Sequence, residues 1–320
     1  MSAKPAGAAG MRKERTSGAG ASGDRSGGTP FPAKEGPVGG ASPRARAVRR
    51  FRRNRLAVAG TVVLGAVVLL SLLAPLLAGP PNAVDLDAVR QGPSGAHWFG
   101  TDTSGRDVFA RTLHAGRVSL MVGLTAALCA VIVGTLFGAV AGLFGGVVDN
   151  VIMRVADIVM SFPTVVVILV LAGIVGPSVT VLIIAIGATQ WPVAGRVVRG
   201  VTLSLRDREY IQAAEASGAN AWWLIRKHIV PAALPPVTVT GTLAVAQAIM
   251  METTASFLGL GVQPPQASWG NMLNDAQNLT LIQTMPWLWL PPGIAIAVTV
   301  LAVNFVGDGL RDAVTPGGRT

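Results

Sequence analysis

Three charged side chains stand inside long apolar runs. Arg154 and Asp157 fall in the run from about Val151 to Ile174, and Glu252 falls between Val237 and Leu258, beside Thr253 and Thr254. A charge at hydrocarbon depth costs several kcal/mol unless it is paired or reaches water, so intramembrane ionisable residues are functional candidates by default. Arg154 and Asp157 lie three apart on one helix face and can pair with each other or with Asp149. They are either a structural salt bridge or charges of a transport pathway. A relay of Glu252, Asp157 and Arg154 would make an ion-coupled secondary transporter. Such a transporter should also carry internal repeats and several acids at matched depths, and the chain has neither.

Other chemistries lack their residues. A phosphate-binding loop needs Gly-Lys-Ser/Thr, and the only lysine after Lys34 is Lys227, within Arg-Lys-His. The chain is therefore not its own ATPase. His97, His114 and His228 are too dispersed to read as a metal site, and serines such as Ser217 sit in no nucleophile elbow. The expectation is a non-catalytic chain with no metal and no cofactor of its own. The lone cysteine, Cys129, lies in an apolar run and reads as packing.

The longest charged, water-facing segment after the N-terminal tail is DREYIQAAEASGANAWWLIRKHIVPAALPP, starting at Asp207 and flanked by apolar runs. Its signals predict helix, glycine turn, helix. Asp207 caps the first helix, Gly218 ends it in a left-handed C-cap, Asn220 caps the second, and Pro231 stops it. Ala213, Ala214, Ala216 and Ser217 are small enough for a partner to approach closely. Without a partner, the same stretch reads as an amphipathic interfacial helix.

Gln212-Ala213-Ala214, Gly218 and Val230-Pro231 resemble the E-A-A-x-x-x-G-x9-I-x-L-P loop of bacterial ATP-binding-cassette importer permeases. Two positions depart from it: Gln212 replaces glutamate, and His228 stands at the usual isoleucine. The ending His228-Ile229-x-Pro231 is similar to the dipeptide/oligopeptide/nickel branch. So are GTDTSGRDVFAR from Gly100 and GLGVQPPQASWGNML from Gly259, which point to its second, C-type permease subunit. The resemblance covers about residues 90–316. It implies an all-α, polytopic type I importer permease fold of six transmembrane helices with a cytoplasmic coupling helix. The coupling set would be Tyr210, Gln212, Ala213, Ala214, Gly218, Ala219, His228 and Pro231. Partners implied are a homologous permease, two ATPase subunits that bind the ATP and magnesium, and an extracytoplasmic binding protein. The cargo of the branch is dipeptides, longer peptides, glutathione or nickel chelates.

The rest of the chain positions that loop. Apolar residues make up 51% of the sequence and charged ones 13%, the balance of a membrane protein. Spans are expected at about 56–77, 119–144, 151–174, 179–194 (with Gln190-Trp191-Pro192 interrupting its inner half), 237–258 and 287–306. Residues 1–55 hold 13 Lys/Arg and 3 Asp/Glu, leaving 13 of each sign for the remainder. Residues 1–50 are rich in Gly, Ala, Ser and Pro and read as a disordered basic tail, ending against anionic lipid at Arg44–Arg55. Residues 51–114 make the first span plus an outer segment, and 115–316 the permease core with its coupling loop at 207–231. The arginines put both termini in the cytoplasm of a bacterial plasma membrane protein. The first apolar run starts too far in, and is too long, for a cleavable signal peptide. Lipid is an expected partner and nucleic acid is not, because the charge excess lies in the tail.

Overall fold

Membrane length sets the architecture, since about 20 apolar residues of helix cross the hydrocarbon. The computed structural model describes residues 43–314, all helix and connecting turns with no named strand among them. In order, these are α1 (Pro43–Arg53), α2 (Arg55–Leu72), α3 (Ala74–Leu77), α4 (Val108–Phe144), α5 (Gly146–Ser161), α6 (Thr164–Val175) and α7 (Val179–Arg206). There follow α8 (Glu209–Ala216), α9 (Ala221–Leu224), a π turn (Ile225–Ile229), α10 (Val230–Phe257), α11 (Trp269–Asp275), α12 (Leu279–Thr284) and α13 (Leu290–Val314). Among the described residues five helices are long and apolar enough to cross a membrane, and the bent pair α5–α6 brings the count to six where it is taken as one span.

Several boundaries differ from the sequence expectation, each for a local reason. Of the tail expected over residues 1–50, residues 1–42 lie outside the described residues, and the rest is not disordered, because Pro43 begins α1. The third span is not straight. It bends by 84° between Ser161 and Thr164, because Pro163 cannot donate a helical N–H and Phe162 before it is extended, with φ −96° and ψ 131°. Conversely, Pro192 does not interrupt α7, which runs through it to Arg206. Packing against neighbouring helices lets membrane helices keep an internal proline.

Helix α4 is the spine, and three apolar clusters follow one another along it. Val108 and Ala115 join Trp269, Met272 and Met285; Val122 and Ala126 join Ile168, Leu182 and Ile186; Ala139 and Leu143 join Val198, Ile225 and Ile229. The small residues of this helix pack inside the chain. Gly134, Gly138 and Gly142 recur every four residues against α7. A Cβ on Gly134 would lie 2.5 Å from the Trp191 carbonyl oxygen, and one on Gly142 2.5 Å from Thr202 Cβ. Glycine is required here because the two backbones touch. On the other side α2 packs on α13, with Gly60 against the Ala302 carbonyl.

The segment between α3 and α4 is tied down by charge. Asp107 caps α4, accepting from Ala110 N at 2.8 Å. Asp102, almost buried, accepts from Ser104 N (2.8 Å), Arg106 N (2.9 Å), Arg106 Nε (2.7 Å) and Arg111 Nη1 (2.6 Å). Arg111 Nη2 reaches on to Asp275 Oδ2 on α11 at 3.3 Å.

Candidate functional site

Residues 207–231 form a bracket that is apolar on one side and bare on the other. Ile211, Leu224, Ile225 and Ile229 are buried against Leu143, Val198, Ala233 and Val237. Their burial, at roughly 1.5–3 kcal/mol for each large side chain, fixes the bracket to the ends of α4, α7 and α10. Tyr210, Gln212, Ala213, Gly218 and Pro231 are exposed and His228 is half-buried, while Ala214 and Ala219 are half-buried against the apolar cluster itself. All eight expected coupling positions thus fall on one short stretch that no other described element covers completely.

The turn is a Schellman motif. Gly218 N–H donates to Glu215 O at 2.9 Å and Ala219 N–H to Ala214 O at 3.0 Å, the two bonds that close a helix end. Gly218 takes φ +85°, and a Cβ there would meet nothing within 4 Å. Its constraint is therefore conformational rather than steric. Asn220 caps α9, its Oδ1 accepting from Trp223 N at 3.1 Å. A cleft of about 440 Å³ lies here, lined by Ala214, Ser217, Gly218, Ala219, Asn220 and Trp223.

Two expected features are corrected. Asp207 does not cap the first helix. It is the C-cap of α7, and Arg208 precedes α8 with no side-chain cap bond. Pro231 does not stop the second helix. α9, the π turn and α10 run on as one rod from Ala221 to Phe257, with Pro231 directly after the π turn, whose shifted hydrogen-bond register accommodates the missing N–H. The bracket is thus continuous with a membrane-crossing helix. His228 is the junction, its ring 5.7 Å from Tyr210 on α8 and 5.1 Å from Trp223 on α9. Composition alone did not bring these three rings together; they meet because the Gly218 turn folds α8 back on α9.

The intramembrane charges do not assemble as expected. Asp157 pairs with Arg196 Nη2 on α7 at 2.6 Å, not with Arg154. Asp149 pairs with Arg199, also on α7. Arg154 is exposed and has no ion-pair partner among the described residues. Both pairs cross from α5 to α7 because the Gly145–Gly146 turn sets those helices side by side, which a spacing rule within one helix misses. Glu252 is fully buried on α10. Its Oε1 accepts from Ser256 Oγ at 2.8 Å, and Ser256 in turn accepts from Val262 N at 3.1 Å. Glu252 therefore tethers the loop after α10, and among the described residues no chain of hydrogen bonds connects it to Asp157.

Comparison with known proteins settles the lineage. Residues 134–319 match the family described as "Binding-protein-dependent transport system inner membrane component". The chain belongs to this family. Residues 42–93 match the "N-terminal TM domain of oligopeptide transport permease C", so the likeness extends upstream of residue 90. The oligopeptide transport system permease protein OppC of Escherichia coli K12 is 44% identical over 84% of this chain and 89% of its own. The dipeptide transport system permease protein DppC of Alkalihalophilus pseudofirmus is 40% identical over 86% of this chain and 90% of its own. Among solved structures, the MetNI methionine ABC transporter in inward-facing conformations gives a TM-score of 0.49 at 18% identity, over 65% of this chain and 98% of that one. Within this family of inner-membrane permeases the chain groups with the C-type peptide permeases.

Proposed function

We propose that this chain is one of two membrane-spanning subunits of an ATP-driven peptide importer. It forms half of the translocation pathway and carries no catalytic site. The observation that supports this best is the exposed bracket with its left-handed Gly218 turn, continuous with the rod 221–257. A cytosolic ATPase subunit would dock on Tyr210, Gln212, Ala213, Ala214, Gly218 and Ala219, with His228 and Pro231 at the hinge side. ATP and magnesium would be held by two such ATPase subunits. A homologous permease would complete the pathway, and an extracytoplasmic binding protein would deliver cargo. Peptides are favoured because the oligopeptide and dipeptide permeases OppC and DppC are the relatives at 40–44% identity.

The mechanism follows from stiffness. Closure of the ATPases moves the docked bracket, and a rod without a break at Pro231 carries that displacement into the membrane. Nucleotide shifts the balance of outward- and inward-open states only as far as it binds them differently. The termini and the bracket lie in the cytoplasm in this arrangement, following the positive-inside bias of Arg196, Arg199, Arg206 and Arg208.

Reconstitution of the chain with its partner subunits in vesicles tests the reading. Uptake of labelled di- and oligopeptides should require ATP and the binding protein. Uptake driven by an ion gradient without ATP would overturn it.

A further inference from the structure

We propose that the start of the rod 221–257 carries a binding site for the headgroup of an anionic phospholipid, formed by Trp222, Trp223, Arg226 and Lys227. These four residues and Asn220 line a cleft of about 400 Å³, and no acidic side chain lines it. Arg226 has no ion pair among the described residues. Lys227 Nζ lies 5.7 Å from the centre of the Trp223 ring, an arrangement that holds the ammonium beside the indole without neutralising it. Trp222 and Trp223 are 54% and 44% exposed, so two indoles and two cations share one uncovered surface.

Depth decides the occupant. Residues 229–251 contain no charged side chain. Those roughly 23 residues span about 35 Å of helix, more than the roughly 30 Å of hydrocarbon that about 20 residues cross, so Pro231 stays at the cytoplasmic boundary. Arg226 and Lys227 therefore stand at the first position where water and headgroups begin. Helical side chains tilt toward the helix N-terminus, so both cations lean away from the hydrocarbon, into the phosphate layer. Tryptophans belong at the same interface. The guanidinium of Arg226 can fork onto a phosphate and Lys227 supplies a second positive charge, which selects anionic over zwitterionic lipid. The cleft is offset from the Gly218 turn. Asn220 and Trp223 border both clefts, whereas Trp222, Arg226 and Lys227 border only this one.

The full-length chain should be placed in nanodiscs of phosphatidylcholine, alone or with phosphatidylglycerol. Retained lipid is then read by native mass spectrometry, and tryptophan quenching by bromine-labelled phosphatidylglycerol is measured alongside. Replacing Arg226→Gln and Lys227→Gln together should weaken phosphatidylglycerol retention about 30-fold, the effect of two interfacial cations. The charge-keeping pair Arg226→Lys and Lys227→Arg should retain it, which separates lost charge from lost fold. Phosphatidylcholine retention should not change in either. Equal phosphatidylglycerol retention in wild type and the double glutamine variant would overturn the site. Unchanged lipid retention with lost ATPase co-purification would instead assign this cleft to the ATPase subunit.

Discussion

Arg199 on α7 grips Asp149 on α5 with two hydrogen bonds, Nε to Oδ1 at 2.5 Å and Nη2 to Oδ2 at 2.6 Å. The fork needs a planar guanidinium, so lysine cannot reproduce it. Arg199→Lys should lower thermal stability by about 1 kcal/mol, and Asp149→Ala should cost at least as much. Melting curves of the two single variants and the double check this. If the two losses simply add, the pair is not coupled in the folded protein.

The neighbouring pair, Arg196 and Asp157, is about half exposed on each side. It should contribute no more than about 1 kcal/mol to stability. Reversing both charges, Arg196→Asp with Asp157→Arg, should restore transport that either single reversal impairs. Reversing Arg154 with Asp157 should not, because those two are not partners. Rescue by the Arg154 swap, with normal protein levels, would contradict the observed pairing.

At Gly218 the open space around a built Cβ separates two effects. Any side chain costs about 1 kcal/mol in backbone conformation, and asparagine tolerates that region better than most residues. Gly218→Asp should leave the spans folded but abolish substrate-stimulated ATP hydrolysis, while Gly218→Asn should keep part of it. Gln212, exposed and with no side-chain hydrogen bond among the described residues, should accept glutamate with transport retained, whereas leucine should weaken ATPase co-purification. Normal coupling in Gly218→Asp would remove the bracket from the mechanism.

The outer segment should have an acid limit. Burial pushes the Asp102 carboxyl upward. The Arg106 and Ser104 backbone N–H groups and the Arg106 and Arg111 guanidiniums outweigh burial and hold it below its ordinary 3.8. A depressed folded-state value means the stabilisation is complete above the ordinary carboxylate range and is lost as pH falls through the lower folded value. Trp287, whose Nε1 donates to Thr101 O at 3.2 Å, reports on this segment. Its fluorescence should be flat from about pH 8 to pH 5 and change only below about pH 4, and Asp102→Asn should remove that transition. A midpoint near neutrality would mean another group controls the segment.

Topology can be read by labelling. With Cys129→Ala as background, single cysteines at the exposed positions Ser94 and Ser204 should react differently with an impermeant maleimide on intact cells. Ser94→Cys should label and Ser204→Cys should not. The reverse pattern would invert the membrane orientation.

Much of this molecule is local, and local features are legible in order along the chain. The six apolar stretches, the Asn220 cap and the left-handed Gly218 each depend on a few adjacent residues, since hydrocarbon thickness, cap geometry and the absence of a Cβ act over one or two turns. The C-type likeness was readable for the same reason. Tertiary structure decided what lay between elements. Whether a proline breaks a helix depended on packing: Pro163 bends α5–α6, while Pro192 and Pro231 sit inside continuous rods. Asp157 found Arg196 and Asp149 found Arg199 because a two-glycine turn sets α5 beside α7, a proximity that no spacing within one helix encodes. The glycine face of α4 was visible as composition, but only packing showed that α7 already occupies it.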